Sequence, residues 1–145
     1  KHFDFYEPLT VHESSLSPCI HAILAAKINR IDKAYEMYLR TARLDLDDYN
    51  NEVSEGCHIT SMAGTWMTIV QGFGGMRTFN NSLSFNPQIP SQWQSYSFTI
   101  NYRDCVLKVY KSHTECVFTN ESDAPITIEV AGEKLEVLPK ALIKI

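Results

Sequence analysis

At 145 residues, with 44% hydrophobic and 21% charged side chains, the chain has room for one domain or two small ones and is too apolar for a disordered composition. A net charge of −4 with no basic cluster argues against a nucleic-acid binder, and no run of 18 apolar residues offers a membrane span. The opening KHFDFYEP is charged and aromatic where a secretory leader would be apolar, so a cytoplasmic location is expected. The start at Lys1 and the phrase FDFYEPLT predict a piece of a longer protein.

In chain order, residues 1–11 read as extended, because Pro8 and the β-branched Thr10 and Val11 disfavour helix. Ser14 or Ser15 can cap a first helix that tolerates Pro18 in its first turn, carries apolar residues at 16, 20, 23, 24 and 28, and ends at Asn29. A second helix starts near Ile31 or Asp32, with Ile31, Ala34, Tyr35, Tyr38 and Ala42 on its apolar face, and fades at Asp45, Asp47 and Asp48. The turn-rich YNNEVSEG follows. A third helix runs from about Ile59 to Phe73, with Ile59, Met62, Ala63, Trp66, Met67 and Val70 as its apolar face, and Gly74-Gly75 stops it.

Beyond Gly75, alternation replaces the helical period. Seven short strands are expected at Ser82–Phe85, Tyr96–Tyr102, Cys105–Lys111, Glu115–Thr119, Ile126–Val130, Glu133–Leu138 and Ala141–Lys144, which argues for a small antiparallel β-sandwich. The first helix is apolar or small around much of its circumference, so it needs cover on more than one side. Two other helices cannot provide that, and further partners are expected outside this sequence.

Cys19, Cys57, Cys105 and Cys116 lack CxxC spacing, so no metal site is expected. Cys19 and Cys57 read as buried thiols in a reducing compartment. Cys105 and Cys116 could face each other across a hairpin, and a disulfide there is the less favoured alternative.

Two stretches carry chemistry. VHESSLSP places His12, Glu13, Ser14, Ser15 and Ser17 at one helix start, and EGCHITSMAGTW places His58, Thr60 and Ser61 at another. The first N–H groups of a helix lack internal partners and the dipole is positive there, so hydroxyls and a His at such an end make an anion site. Two such starts suggest one shared oxyanion, phosphate being the obvious candidate. The plainer alternatives are ordinary caps with surface polar residues and, at Gly64, helix–helix packing instead of close approach by a ligand. Glu7, Glu13, Glu52 and Glu55 could supply an acid or base, but spacing singles out none of them. The Asp45, Asp47, Asp48 run reads more readily as a solvated helix end than as a cation site. Tyr35, Tyr38 and Trp66 read as core, and His2, His21 and His113 as structural. No Ser-His-Asp arrangement, P-loop or GxGxxG is present.

The stretches FDFYEPLTVHESSLSPCIHAILAA, AYEMYLRTARLDLDDYNNEVSEGCHITSMAGTW, GFGGMR and LSFNPQIP resemble the C-terminal part of glycoside hydrolase family 65, in its maltose-phosphorylase-like branch, over essentially residues 3–103. The resemblance implies an α+β multidomain fold. Residues 1–75 would be the last helices of an (α/α)6 catalytic barrel, and residues 76–145 a C-terminal β-sandwich. It implies inverting phosphorolysis of maltose to β-glucose 1-phosphate and glucose. Ser14, Ser15 and His58 would hold phosphate with Thr60 and Gly64 supporting, and His12 and Glu13 would help position substrate. The general acid of the family lies upstream, so no catalytic acid is expected here and the chain alone should be inactive. No cofactor is implied beyond inorganic phosphate as co-substrate. Implied partners are the N-terminal remainder of the enzyme, an α-glucosyl disaccharide and a second copy in a homodimer. An independent carbohydrate-binding or scaffolding sandwich module is the alternative of another class. A hydrolase of the same family is a third reading, disfavoured because it would need a carboxylate base for water where the serines and His58 stand.

Overall fold

The computed structural model describes residues 1–12, 14–49 and 51–145, without the side chain of Glu55. The chain divides into two compact units, Lys1–Phe73 and Gly74–Ile145.

The first unit is helical. It opens with a short helix α1 (His2–Tyr6) and a 3-10 turn over Glu7–Leu9, not the extended segment that Pro8 and the β-branched residues suggested. Two features override those propensities. Asp4 sits in the first turn and pairs with the chain's own amino group and with the Arg30 guanidinium. Pro8 falls at the start of the turn, where a missing N–H costs nothing. Thr10 closes the segment, its hydroxyl donating to Tyr6 O at 2.8 Å.

Helix α2 (Ser17–Lys27) carries Pro18 in its first turn, and the cap position falls to Leu16 instead of Ser14 or Ser15. Ser14 Oγ accepts the Leu16 N–H at 3.3 Å, one turn earlier than a cap would. The helix buries Pro18, Cys19, Ala22, Ile23, Ala25 and Ala26, while Leu16, Ile20, Leu24 and Ile28 form an exposed line at four-residue spacing. Asn29, at φ +61°, turns the chain into α3 (Ile31–Ala42), whose buried positions are Ala34, Met37 and Thr41. Tyr35 and Tyr38 are only half-buried, Tyr38 meeting Phe73 edge-on at 5.9 Å. Helix α4 (Leu44–Asp47) follows at once, tied by Arg43 to Asp47.

Helix α5 (Ile59–Met67) continues into a wider π-helical stretch, Thr68–Phe73. Its packed face is Ser61, Gly64 and Thr68, small enough for close helix approach. A Cβ on Gly64 would lie 2.9 Å from both Cβ and Sγ of Cys19 and 3.4 Å from Thr41 Cγ2. Of the expected apolar face, Val70 is buried and Met67 half-buried, but Ile59, Met62, Ala63 and Trp66 are exposed, Trp66 by 50%.

The second unit has two sheets. One is β1 (Ser84–Phe85), β5 (Ile126–Val130) and β6 (Glu133–Val137), in the order β1-β5-β6. The other is β2 (Ser95–Tyr102), β3 (Cys105–Ser112), β4 (Cys116–Asn120) and β7 (Leu142–Lys144), in that order. Arg103-Asp104, both at positive φ, join β2 to β3 with Tyr102 opposite Cys105, and Ala131-Gly132 join β5 to β6 in the same way. These two-residue loops match the twist of the strands they link. Alternation puts Phe98, Leu107, Val109, Phe118, Ile128 and Val137 inside, and Phe85 of one sheet meets Phe118 of the other at 5.1 Å. One pairing departs from a wholly antiparallel sandwich: β1 runs parallel to β5, Phe85 opposite Val130. The chain reaches β5 from β1 only after building three strands of the other sheet, and such a crossover permits parallel pairing.

All four cysteines are free thiols. Cys116 pairs with Lys111 across the β3–β4 ladder and Cys105 lies beside Ala124 O, so the two do not face each other as a disulfide requires. Cys57, expected to be buried, is exposed in the loop before α5.

Candidate functional site

The approach of α2 and α5 at Gly64 and Cys19 brings their first turns together. Ser15 and Thr60, 45 residues apart, share a hydrogen bond of 2.9 Å between hydroxyls. Ser61 anchors the same turn from behind, its buried hydroxyl donating to Thr41 O at 2.7 Å. One hydroxyl cluster therefore forms from two distant helix beginnings. Whichever of Ser15 and Thr60 accepts in this pair keeps its own O–H to donate to a bound oxyanion, whereas the Ser61 proton is committed to Thr41 O.

His58 stands at the cap position of α5, two residues before Thr60, and its ring is tied down. Its Nδ1 lies 2.5 Å from Asp45 Oδ1, its main-chain N–H donates to Asp45 Oδ2 at 2.9 Å, and its Nε2 is 3.4 Å from Glu52 Oε2. The hydrogen bond from the His58 side chain, followed by the one from its backbone, holds the Asp45 carboxyl below its ordinary range.

His12, expected to help position substrate, is held inside the helical unit. Its side chain is 8% exposed, and its Nδ1 meets Ser17 Oγ at 2.8 Å. Its ring stands edge-on to His21 at 4.7 Å, and its carbonyl accepts from Arg40 at 2.8 Å. Burial and then the neighbouring His21 push the His12 imidazole below its ordinary value, which favours the neutral ring. Glu7 lies 3.7 Å from His12 Nε2, but its direct partner is Lys33 at 2.9 Å, which lowers the Glu7 carboxyl. This network braces the Ser14–Ser17 turn from inside.

The structure thus joins Ser15 to Thr60 and sets His58 at the head of the same helix. Gly64 lies at the helix crossing, which is the packing alternative for that residue, and Ser14 is spent on its own turn. Glu13 lies outside the described residues. Asp45 is the residue that spacing missed: nothing in an acidic run shows that one carboxylate folds back on a histidine 13 positions later. Among the described residues no group of three or more His, Cys, Asp or Glu side chains is placed to hold a metal ion, and no helix is long and apolar enough to cross a membrane.

Comparison with known proteins defines a class first. The helical segment matches the glycosyl hydrolase family 65 central catalytic domain over residues 1–67, and the sandwich matches the C-terminal domain of the same family over residues 76–137. The chain belongs to glycosyl hydrolase family 65. It is 53% identical over 133 residues to maltose phosphorylase of Bacillus subtilis (strain 168), which covers 92% of this chain and 18% of that protein. It is 46% identical over 144 residues to α,α-trehalose phosphorylase of Thermoanaerobacter brockii, covering 99% of this chain and 18% of the relative. A solved structure named as a kojibiose phosphorylase from human microbiome superposes with a TM-score of 0.90 at 41% identity, over 99% of this chain and 21% of that one. The chain spans about a fifth of the length of the relatives it matches.

Proposed function

We propose that this chain supplies the phosphate side of the active site in an inverting disaccharide phosphorylase, with maltose as the first substrate to test. One observation carries the reading: Ser15 and Thr60, from two helix starts far apart in sequence, meet at 2.9 Å, on the helix that His58 caps. The names of the relatives, which act on maltose and trehalose, support the reaction class.

In this reaction a carboxylic acid, from a part of the enzyme outside this chain, protonates the glycosidic oxygen. Phosphate attacks the anomeric carbon from the opposite face, the bond to the leaving sugar breaks, and β-glucose 1-phosphate and glucose result. Phosphate needs no general base. It needs donors that orient it and strip its water without neutralising it. The O–H left over from the Ser15–Thr60 pair, the Thr60 main-chain N–H in the first turn of α5, and the His58 ring are such donors, and Ser14 lies next to Ser15 in the same turn. Gly64 acts one step removed, by letting α5 close on α2. His12 acts as a brace for the serine turn, with Glu13 next to it in sequence.

The exposed lines Leu16, Ile20, Leu24, Ile28 and Ile59, Met62, Trp66 support a place among the last helices of a larger (α/α)6 barrel, where the preceding helices would cover them. The enzyme would work in the cytoplasm as a homodimer, with inorganic phosphate as co-substrate and no cofactor.

Steady-state kinetics test this in the enzyme carrying the chain. Ser15→Ala and His58→Ala should each raise the KM for phosphate about tenfold, equivalent to ~1.4 kcal/mol, with the KM for the disaccharide within about twofold. The 145-residue chain alone should release no glucose 1-phosphate from maltose and phosphate. Unchanged phosphate kinetics in both variants, or glucose release independent of phosphate, would overturn the reading.

A further inference from the structure

We propose that Asp45 is a positioning residue for this phosphate site: its carboxylate grips His58 at two points and leaves Nε2 as the ring's donor to the anion. The inference rests on the reading of His58 as a phosphate ligand. Asp45 belongs to α4, and the loop from Asp48 to Cys57 separates it from the histidine. One carboxylate oxygen accepts the main-chain N–H of His58 at 2.9 Å and the other accepts Nδ1 at 2.5 Å. The first contact fixes where α5 begins, and the second fixes how the ring is turned. The two side chains are 21% and 22% exposed, so this charge-assisted pair is partly shielded from water.

The chemistry requires this arrangement. A neutral imidazole has one N–H, and Asp45 claims it at Nδ1. For Nε2 to donate to a phosphate oxygen, the ring must carry a second proton; an adjacent carboxylate favours that state, and its own charge offsets the imidazolium, so the pair donates without neutralising the anion. Among the described residues, the charged groups against the ring include Asp45 from α4 and Glu52 from the loop. Both favour the imidazolium, but Glu52 stands at Nε2, the atom that phosphate would use, and so competes with the anion. Asp45 holds the ring at Nδ1 without occupying Nε2. Asparagine cannot replace it: the amide oxygen can accept from one of the two His58 donors, and the NH₂ then opposes the other.

The test compares Asp45→Asn, Asp45→Glu, His58→Ala and the Asp45→Asn/His58→Ala double variant in the enzyme carrying this chain. Asp45→Asn should raise the KM for phosphate about tenfold and leave the KM for the disaccharide within about twofold, and Asp45→Glu should recover part of the loss. In the His58→Ala background the same change should have no further effect on phosphate, as expected of a residue acting through another. In ¹⁵N imidazole spectra, the His58 titration midpoint should fall in Asp45→Asn, because the carboxylate that pairs with the protonated ring is gone. Loss of phosphate affinity that persists in the His58→Ala background, or an unmoved His58 titration while His58→Ala itself weakens phosphate binding, overturns the inference and leaves the proposed function standing. Phosphate kinetics untouched by His58→Ala overturn the inference, and if Ser15→Ala is equally silent the proposed function falls with it. If the Asp45 variants do not fold, titrating the unaltered protein with phosphate decides: Nε2 should shift while Nδ1 keeps its hydrogen-bonded resonance, and the reverse pattern sinks the assignment.

Discussion

In the sandwich unit four large apolar side chains stand exposed among the described residues, Phe79, Leu138, Leu142 and Ile145, while Phe85, Leu107, Val109, Phe118, Ile128 and Val137 are almost wholly buried. In the helical unit fourteen are exposed, from Phe5 to Trp66, and beside Ile23, Met37, Leu44, Val70 and Phe73 the buried positions include four alanines, a cysteine and two glycines. The strands satisfy their burial within their own unit, and the helices do not. Packing stability follows buried apolar area, so the sandwich should be the firmer unit and the helices the looser one. The candidate site lies wholly in the looser unit, held by hydrogen bonds instead of a deep core.

The sharpest way to break that comparison is at the centre of the sandwich. Phe118 is fully buried and packs on Phe85. Phe118→Ala should cost the sandwich about 3–5 kcal/mol, read as a lowered urea midpoint for the β-unit. Equal loss of amide protection in α2 and α5 by hydrogen exchange would show that the two units unfold as one, against the comparison.

Alkaline pH gives the next largest effect. Burial pushes the Cys116 thiol up from 9.0 to about 11. The unfolded thiol ionises near pH 9 and the folded one does not, so between those values the native state binds more protons than the unfolded state. Stability from this site is full below pH 9 and is lost as pH rises toward 11, by at most about 2–3 kcal/mol. Cys116→Ala should flatten the alkaline limb of the stability profile. An unaltered limb would place the sensitivity elsewhere.

The strands were the most legible part of the sequence because alternation and turn chemistry agree. Arg103-Asp104 and Ala131-Gly132 mark loops that can adopt only a few conformations. The helices were legible as elements and misread as surfaces. In α5 the apolar residues pointed to a core face, yet Ser61, Gly64 and Thr68 are the ones packed. Close helix approach selects small side chains, whereas Ile59, Met62 and Trp66 stay exposed. The meeting of Ser15 with Thr60 was foreseeable from two hydroxyl-rich helix starts, but Asp45 was not, because its partner is set by the path of a loop and not by any period. The N-terminal helix was hidden by the opposing signals of Pro8, Thr10 and Val11.

Gly64 sharpens the account of the looser unit. Gly64→Ala adds helix propensity of about 1 kcal/mol, but the new Cβ must fit 2.9 Å from Cys19 Cβ and Sγ. The overlap should win, for a net loss of about 1–2 kcal/mol in the helical unit and none in the sandwich. Because α5 would then stand off from α2, the Ser15–Thr60 hydrogen bond should weaken as well, visible as faster exchange of the amides around Thr60. A more stable Gly64→Ala protein would show that the helix crossing has slack.

The smallest effect separates a face that is merely exposed from one that awaits a partner. Ile20 is 45% exposed in the middle of the outward line on α2. In this chain alone, Ile20→Ser removes few contacts and should change stability by less than about 0.5 kcal/mol, with a gain in solubility. In the enzyme carrying the chain, if other helices cover that line, the same substitution would leave a buried hydroxyl and a lost side chain, and should cost about 2 kcal/mol or more. A thermal-melt comparison of the two contexts reads the difference directly. Equal small effects in both would mean that α2 keeps its outer face in water, and the contrast between the units would then be one of intrinsic stability and not of missing cover.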